Sequence, residues 1–432
     1  MKSISHQHLP QRALIMLVAV GLAACAYPTL RRGYANWLYS GTNNLRRIQL
    51  ACEVEPEDPE CALIRAEITE KKSDELAAWE QAVRLNPRSA EVLTEAAIMR
   101  EMNGDLPGAE RLLLRAEHFN QMWLPRWSLA NFYFRRNQPA DTLKWAKLAL
   151  SRAYGDRRAT FRLCRQAGAS DQMLLNDIIA PDEPGNLSAF LYWITEEDRL
   201  DVLDQAALKY TAAATPGRGK SEPASNPAVV VSEVIETLLQ RGNPAAAHGL
   251  WRRLLADRSL RIAGATASQA LTNPAFAPEV LKAPGFDWRT PSYEGIENTR
   301  IPPDAIRFAL TGGQPEAAEL LVQAVDLSGS RKWTLHYEYP TRNSTLDRYL
   351  QEWILTPWGG SGTIDAENPV QTIAGADGWT QASISWTIPD DARFFRLAFR
   401  IHRILGHIRG EGEIQLRKPR LTPQALSEAG PR

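Results

Sequence analysis

Residues 103–119 read NGDLPGAERLLLRAEHF, and within them Ala109, Leu113 and Ala116 form an A-x3-L-x2-A pattern. A fainter copy stands one repeat earlier at Trp79, Ala82 and Pro87, and another one repeat later at Ala146 and Ala149. Ala82 to Ala116 is a step of 34 residues and Ala116 to Ala149 a step of 33. A period of that length marks an array of paired helices, each too small to bury its apolar face alone. The spacing has a packing reason. Small residues three or seven apart share one helix face. They let a neighbouring helix come close, and the large residue between them fills the gap. The stretch from Leu76 to Leu150 is therefore the part of the chain around which the rest is read.

The second repeat resembles the tetratricopeptide consensus: Ala96-Ala97 in the first helix, Gly104-Asp105 at the turn, Ala109, Leu113 and Ala116 in the second helix. The third repeat departs from it, with Asn131 where a small residue is usual and Tyr154 where a proline closes the unit. The resemblance is clearest over residues 60–155. It implies a helical scaffold that binds a protein or peptide through its groove. Trp123, Trp127 and Asn131 of the third pair are the candidate partner-binding residues; the competing reading of the two tryptophans is inter-helix packing.

Lys+Arg and Asp+Glu both number 50 in 432 residues, so the net charge is zero and there is no electrostatic footprint for nucleic acid. The N-terminus reads as an export element. Lys2 and Arg12 precede the apolar run Ala13–Val20, and small residues follow through Cys25. Leu22-Ala23-Ala24-Cys25 resembles the bacterial lipobox, which implies cleavage before Cys25 and lipidation of its sulfur. Residues 1–27 are thus a signal peptide or a membrane anchor, the anchor being short of the ~20 apolar residues a span needs. A soluble secreted product cut after Ala26 is the third reading. All three place the bulk of the chain outside the cytoplasm, and the expected location is the bacterial cell envelope. Cys52 and Cys61 flank an acidic turn, and an oxidising compartment would allow a disulfide between them; two buried thiols on facing helices are the alternative. Cys164 reads as core.

Along the chain, residues 31–50 read as a helical cap with Tyr34, Trp37, Leu38 and Leu45 on one side. Pairs at 60–72 and 74–86, and two more up to Ala153, complete the regular part. Helical patterning continues at 157–166, 171–179, 187–193 and 199–213. Residues 227–240 and 245–256 form a further pair, giving a helical array over 31–256. Gly219-Lys220-Ser221 lacks the preceding glycine and strand of a phosphate loop and reads as a plain loop. Residues 257–285, broken by prolines, are a connector.

After Gly285 the hydrophobic period changes to two. Ile306-Phe308-Leu310, Trp333-Leu335-Tyr337-Tyr339, Ile384-Trp386-Ile388, Phe395-Leu397-Phe399-Ile401 and Ile414-Leu416 alternate with polar or small residues. With 320–327 and 349–355 this makes seven or eight short strands, the pattern of an antiparallel β-sandwich over 286–422, followed by a tail at 423–432. The order of features resembles the galactose-binding-like jelly rolls of carbohydrate-binding modules, which implies a binding or packing unit. Trp358 and Trp379, beside glycines in loops, are the candidate glycan-binding residues, since aromatic faces stack on sugars; the competing reading is packing over the ends of the sandwich.

Little in the chain points to catalysis. It has no metal-spaced Cys or His cluster, no His-Glu-x-x-His and no Gly-x-Ser-x-Gly. His402 and His407 would fall on opposite faces of a strand, and Glu411 with Glu413 reads as a charged edge. The expectation is a non-enzymatic envelope scaffold without cofactor, holding a protein partner through its helices. The alternative is a polysaccharide-associated protein whose sandwich touches glycan, as in accessories of exopolysaccharide assembly or export.

Overall fold

The computed structural model describes residues 8–40, 45–68, 72–214, 227–259, 270–277, 285–341, 348–360, 362–367, 370–374 and 378–424. The Gly219-Lys220-Ser221 loop, most of the 257–285 connector and the end of the tail lie outside them. The chain is an α-helical array followed by an antiparallel β-sandwich. It divides into two compact units, 1–170 and 171–432.

The first unit is a stack of helix pairs: α1 (His8–Tyr39) with α2 (Leu45–Val54), α3 (Pro59–Ile68) with α4 (Lys72–Leu85), α5 (Ala90–Met102) with α6 (Leu106–Phe119), and α7 (Trp123–Arg135) with α8 (Pro139–Leu150). Helix α9 (Arg158–Gln166) closes it. The small residues of the repeat lie where the spacing puts them. Ala82, Ala109, Ala116, Ala146 and Ala149 are fully buried. The turn at Gly104 takes a positive φ of 84°, which glycine adopts without strain. Asp105 then caps α6, its carboxylate accepting the Gly108 N–H. The period also shows in the ion pairs: Glu101 and Arg135, 34 positions apart on α5 and α7, meet at 2.6 Å.

Tyr34 and Trp37 do not join Leu38 in the cap's core. They stack on each other at the surface, 5.9 Å apart, while Ala35, Leu38 and Ala51 form the contact. Cys52 and Cys61 are two buried thiols rather than a disulfide, with the Cys52 thiol donating to the Cys61 carbonyl. Burial, then the neighbouring Cys52, pushes the Cys61 thiol far up. Arg65 caps the Cys52 carbonyl at 3.0 Å, so the acidic turn is held without a bridge. Helix α1 holds an apolar stretch, Ile15–Leu38, of 24 residues. At 1.5 Å per residue that is roughly 36 Å, long enough to cross a bilayer. Residues 15–30 are exposed, Cys25 among them.

Among its described residues the second unit holds α10 (Asp171–Met173), α11 (Pro184–Glu196), α12 (Leu203–Ala214), α13 (Pro227–Gln240) and α14 (Pro244–Ala256), then nine strands. These are β1 (Ile296–Ile301), β2 (Ala305–Thr311), β3 (Ala317–Asp326), β4 (Lys332–Pro340), β5 (Tyr349–Pro357), β6 (Gln371–Ala374), β7 (Trp379–Thr387), β8 (Phe394–Arg403) and β9 (Glu411–Pro423). One sheet runs β1-β2-β9-β4-β7-β6 and the other β3-β8-β5, all neighbours antiparallel. Trp333 faces Trp386 across β4 and β7, and Trp353 faces Phe399 across β5 and β8. All four are buried between the sheets.

Helices α13 and α14 pack against the three-stranded sheet, so the unit boundary falls at residue 170 rather than at the connector. Strand β3 is buried continuously from Leu320 to Asp326 instead of alternating: Val322 bridges to Arg289, the Gln323 amide is bonded to the Thr272 backbone, and Asp326 meets α14 at the strand's end. One face of the strand meets the core and the other is covered. Asp326 accepts from Arg393 and lies 3.1 Å from His248 Nδ1 on α14. Arg289 reaches Glu236 on α13 at 2.6 Å. Phe286 sits against His248 and Trp251. At Gly285, with φ of 58°, a Cβ would stand 3.1 Å from both Ile235 and Trp251, so the chain passes there as glycine.

Candidate partner-binding groove

In the first unit a groove of about 270 Å³ opens between α5 and α7. Helix α5 contributes Thr94, Ile98 and Glu101, spaced by four and three residues, and α7 contributes Leu124, Trp127, Ser128, Asn131 and Arg135. These spacings put each set on one helix face. The faces are left for solvent because the small residues, Ala96, Ala97 and Ala130, take the inward positions. Leu113 of α6 lies at the back.

Of the three residues singled out from the sequence, Trp127 and Asn131 line this groove and Trp123 stands beside it. Trp123 stacks on Trp127 with ring centres 5.6 Å apart and planes within 13°, and its other neighbour is the exposed Tyr154. Both indoles are half-buried and packed on each other, and of the two Trp127 alone lines the groove. The Asn131 amide donates to the Trp127 carbonyl at 2.9 Å, which fixes its orientation. Asn131 departs from the repeat consensus, and the neighbouring Ala130 is the residue that fills the buried position.

The groove is apolar along Ile98, Leu113, Leu124 and Trp127 and acidic at one end. Glu101 is neutralised by Arg135. Glu95 makes no ion pair among the described residues. Half-burial, then the charges of Glu91 and Glu67, push its carboxyl above the ordinary value. An apolar floor with a poorly compensated carboxylate suits a side chain bearing a hydrogen-bond donor or a positive charge. The sequence reading missed Ile98, Leu124 and Glu95. For Leu124 the signal was the i, i+3, i+7 spacing of Leu124, Trp127 and Asn131, legible once α7 is known to be a first helix of its pair; Ile98 and Glu95 lie on α5.

The glycan candidates are both already engaged. The half-buried Trp358 donates its indole N–H to the Leu239 carbonyl of α13 at 3.2 Å. Trp379 carries the Arg417 guanidinium over one face at 4.1 Å. His402 and His407 are exposed and apart from any acidic pair, and Glu413 pairs with Arg307 across the strands. Among the described residues no group of three His, Cys, Asp or Glu is placed to hold a metal.

No family model matches the chain, and no curated protein matches it. Among solved structures it is similar to three tetratricopeptide-type proteins. PilW, a type IV pilus biogenesis factor, shares 14% identity at a TM-score of 0.26, over 53% of this chain and 93% of that one. YrrB, a TPR protein with an unusual peptide-binding site, shares 14% at 0.23, over 48% and 91%. Pseudomonas aeruginosa pilF shares 14% at 0.24, over 55% and 93%. Scores this low carry no argument about partner or activity, which rests on the groove itself.

Proposed function

We propose that this protein is a non-enzymatic scaffold of the bacterial cell envelope that holds a protein partner by a peptide segment laid in the α5–α7 groove. The observation that carries the reading is the open apolar stripe from Ile98 to Leu124 and Trp127, on helices whose opposite faces are fully packed. Bare apolar surface with convergent polar groups is what a peptide anchor needs. The half-buried Glu95 calls for a lysine, arginine or amide beside that anchor. The apolar helix α1 supports the envelope location, either as an anchor or as a signal cut before a lipidated Cys25. For the glycan alternative, both candidates in the sandwich are engaged, Trp358 by the Leu239 carbonyl and Trp379 by Arg417, so no observation favours it.

The reading is tested by Ile98→Glu, which puts a charge in the groove without touching the buried alanines. Proteins that co-purify with the full chain from membrane extracts should drop out of the variant's eluate while its thermal melt stays in place. An unchanged set of co-purifying proteins would refute the groove as the docking site.

A further inference from the structure

The barest large hydrophobic side chains of the described chain are not on α1. They are Leu405 and Ile408, 93% and 80% exposed, on the loop that joins β8 to β9. Ile404 on the same loop and Leu350, paired with His402 at the end of β5, extend the apolar tip. The loop is braced. The Arg403 guanidinium donates to the His407 carbonyl at 2.6 Å, the His407 N–H returns to the Ile404 carbonyl at 3.1 Å, and Gly406 turns at φ 89°. Leu405 and Ile408 are thus held outward by a built turn.

The chemistry around them selects a partner. The segment His402–Gly410 contains no acidic residue; it carries Arg403, Arg409, His402 and His407. Arg403 is held by Glu316, whereas Arg409 is exposed and makes no ion pair among the described residues. A protein partner would need on the order of 800 Å² of matching surface on this side. Two aliphatic side chains on a convex tip do not supply it. A lipid surface asks for no shape complementarity. It takes isolated apolar side chains into the acyl boundary and pairs the flanking cations with headgroup phosphates. The apolar helix α1 independently offers this chain to a bilayer.

We propose that the loop Ile404–Gly410 is a membrane-contact element: Leu405 and Ile408 enter the boundary of an anionic phospholipid surface and Arg409 meets its phosphates. The contact is separate from the α5–α7 groove and does not depend on the groove's partner.

The test uses the full chain with Cys25→Ala and Leu405→Cys, in which the remaining cysteines, 52, 61 and 164, are buried. An environment-sensitive nitrobenzoxadiazole label is placed at 405, or, with Ile373→Cys in place of Leu405→Cys, at the exposed edge-strand position 373 as a reference. The protein is reconstituted into vesicles of phosphatidylglycerol with phosphatidylcholine, or of phosphatidylcholine alone. The label at 405 should move to the blue and be quenched by nitroxide-bearing acyl chains on the anionic vesicles, while that at 373 stays in water. Arg409→Glu should lower the docked-to-undocked ratio on anionic vesicles roughly fivefold or more, as expected for losing one basic residue at such a surface. Ile408→Ser should lower it roughly tenfold on the scale of one buried aliphatic side chain. A label at 405 that stays in water on both vesicles overturns the proposal. So does an equal shift on both, which would remove the charge from the recognition. A shift that appears only as protein density rises would assign the tip to a second copy of the chain instead.

Discussion

Replacing Asp326 by Asn should loosen the helices α13 and α14 from the sandwich. The Asp326 side chain is 7% exposed and accepts from Arg393 at 2.8 Å and from the Ser328 N–H at 2.9 Å, with His248 Nδ1 at 3.1 Å. Burial opposes its ionisation, yet the bonds from His248, Arg393 and Ser328 outweigh it and hold the carboxyl well below the usual carboxylate range. Asparagine keeps the size and one acceptor oxygen, so the Ser328 bond survives and the charged ones do not. Hydrogen bonds to charged groups contribute about 1.5–3 kcal/mol each. The Arg393 side chain is 52% exposed, and water replaces part of what it loses. The expected loss is therefore about 2–3 kcal/mol. The pH dependence has a definite sign. A depressed carboxyl stabilises the fold fully above its unfolded value, near ~3.9, and loses that contribution as pH falls below it. Denaturant unfolding, with hydrogen exchange on the amides of β3 and α14, should show a wild-type advantage that is whole at neutral pH. It should shrink as pH falls through about 4. An advantage below ~0.5 kcal/mol, the range of an ordinary surface change, or one that ignores pH, would refute the reasoning.

Three further outcomes follow from the packing. Ala116→Leu, at a fully buried helix contact, should overpack the array and cost about 1–3 kcal/mol in a thermal melt. Trp386→Ala, which opens a cavity opposite Trp333, should cost about 3–5 kcal/mol and be read in the near-ultraviolet circular dichroism of the sandwich. Cys25→Ser should shift the protein out of the membrane fraction if the lipobox is used; an unchanged fraction with an intact N-terminus assigns α1 as a spanning anchor.

Most of the architecture was legible because it rests on local period. Ala109, Leu113 and Ala116 disclosed the helix pairs, and the alternation about Trp333, Trp386 and Phe399 disclosed the sandwich. What escaped has physical causes. Strand β1 is an edge with no buried residue and β6 spans four, so neither carries an alternating signal. Strand β3 is covered on both faces and reads as a plain apolar run. The residues that cover it, Thr272, Arg289 and His248, are distant in sequence, and no local pattern shows them approaching the strand. The same limit applied to the candidate site. Trp127 and Asn131 drew notice by type, but Ile98 and Glu95 matter through the helix set beside them. Trp358 looked free beside its glycines because Leu239, its acceptor, lies 119 residues away.

The central claim is that a partner lies in the α5–α7 groove, and a photo-reactive amino acid placed in living cells tests it most directly. Positions 98 and 128 line the groove, whereas Leu114, 40% exposed on α6, does not. Irradiation should give one discrete heavier adduct from positions 98 and 128 and none from 114. No adduct from the groove positions, or the same adducts from all three, would contradict the account.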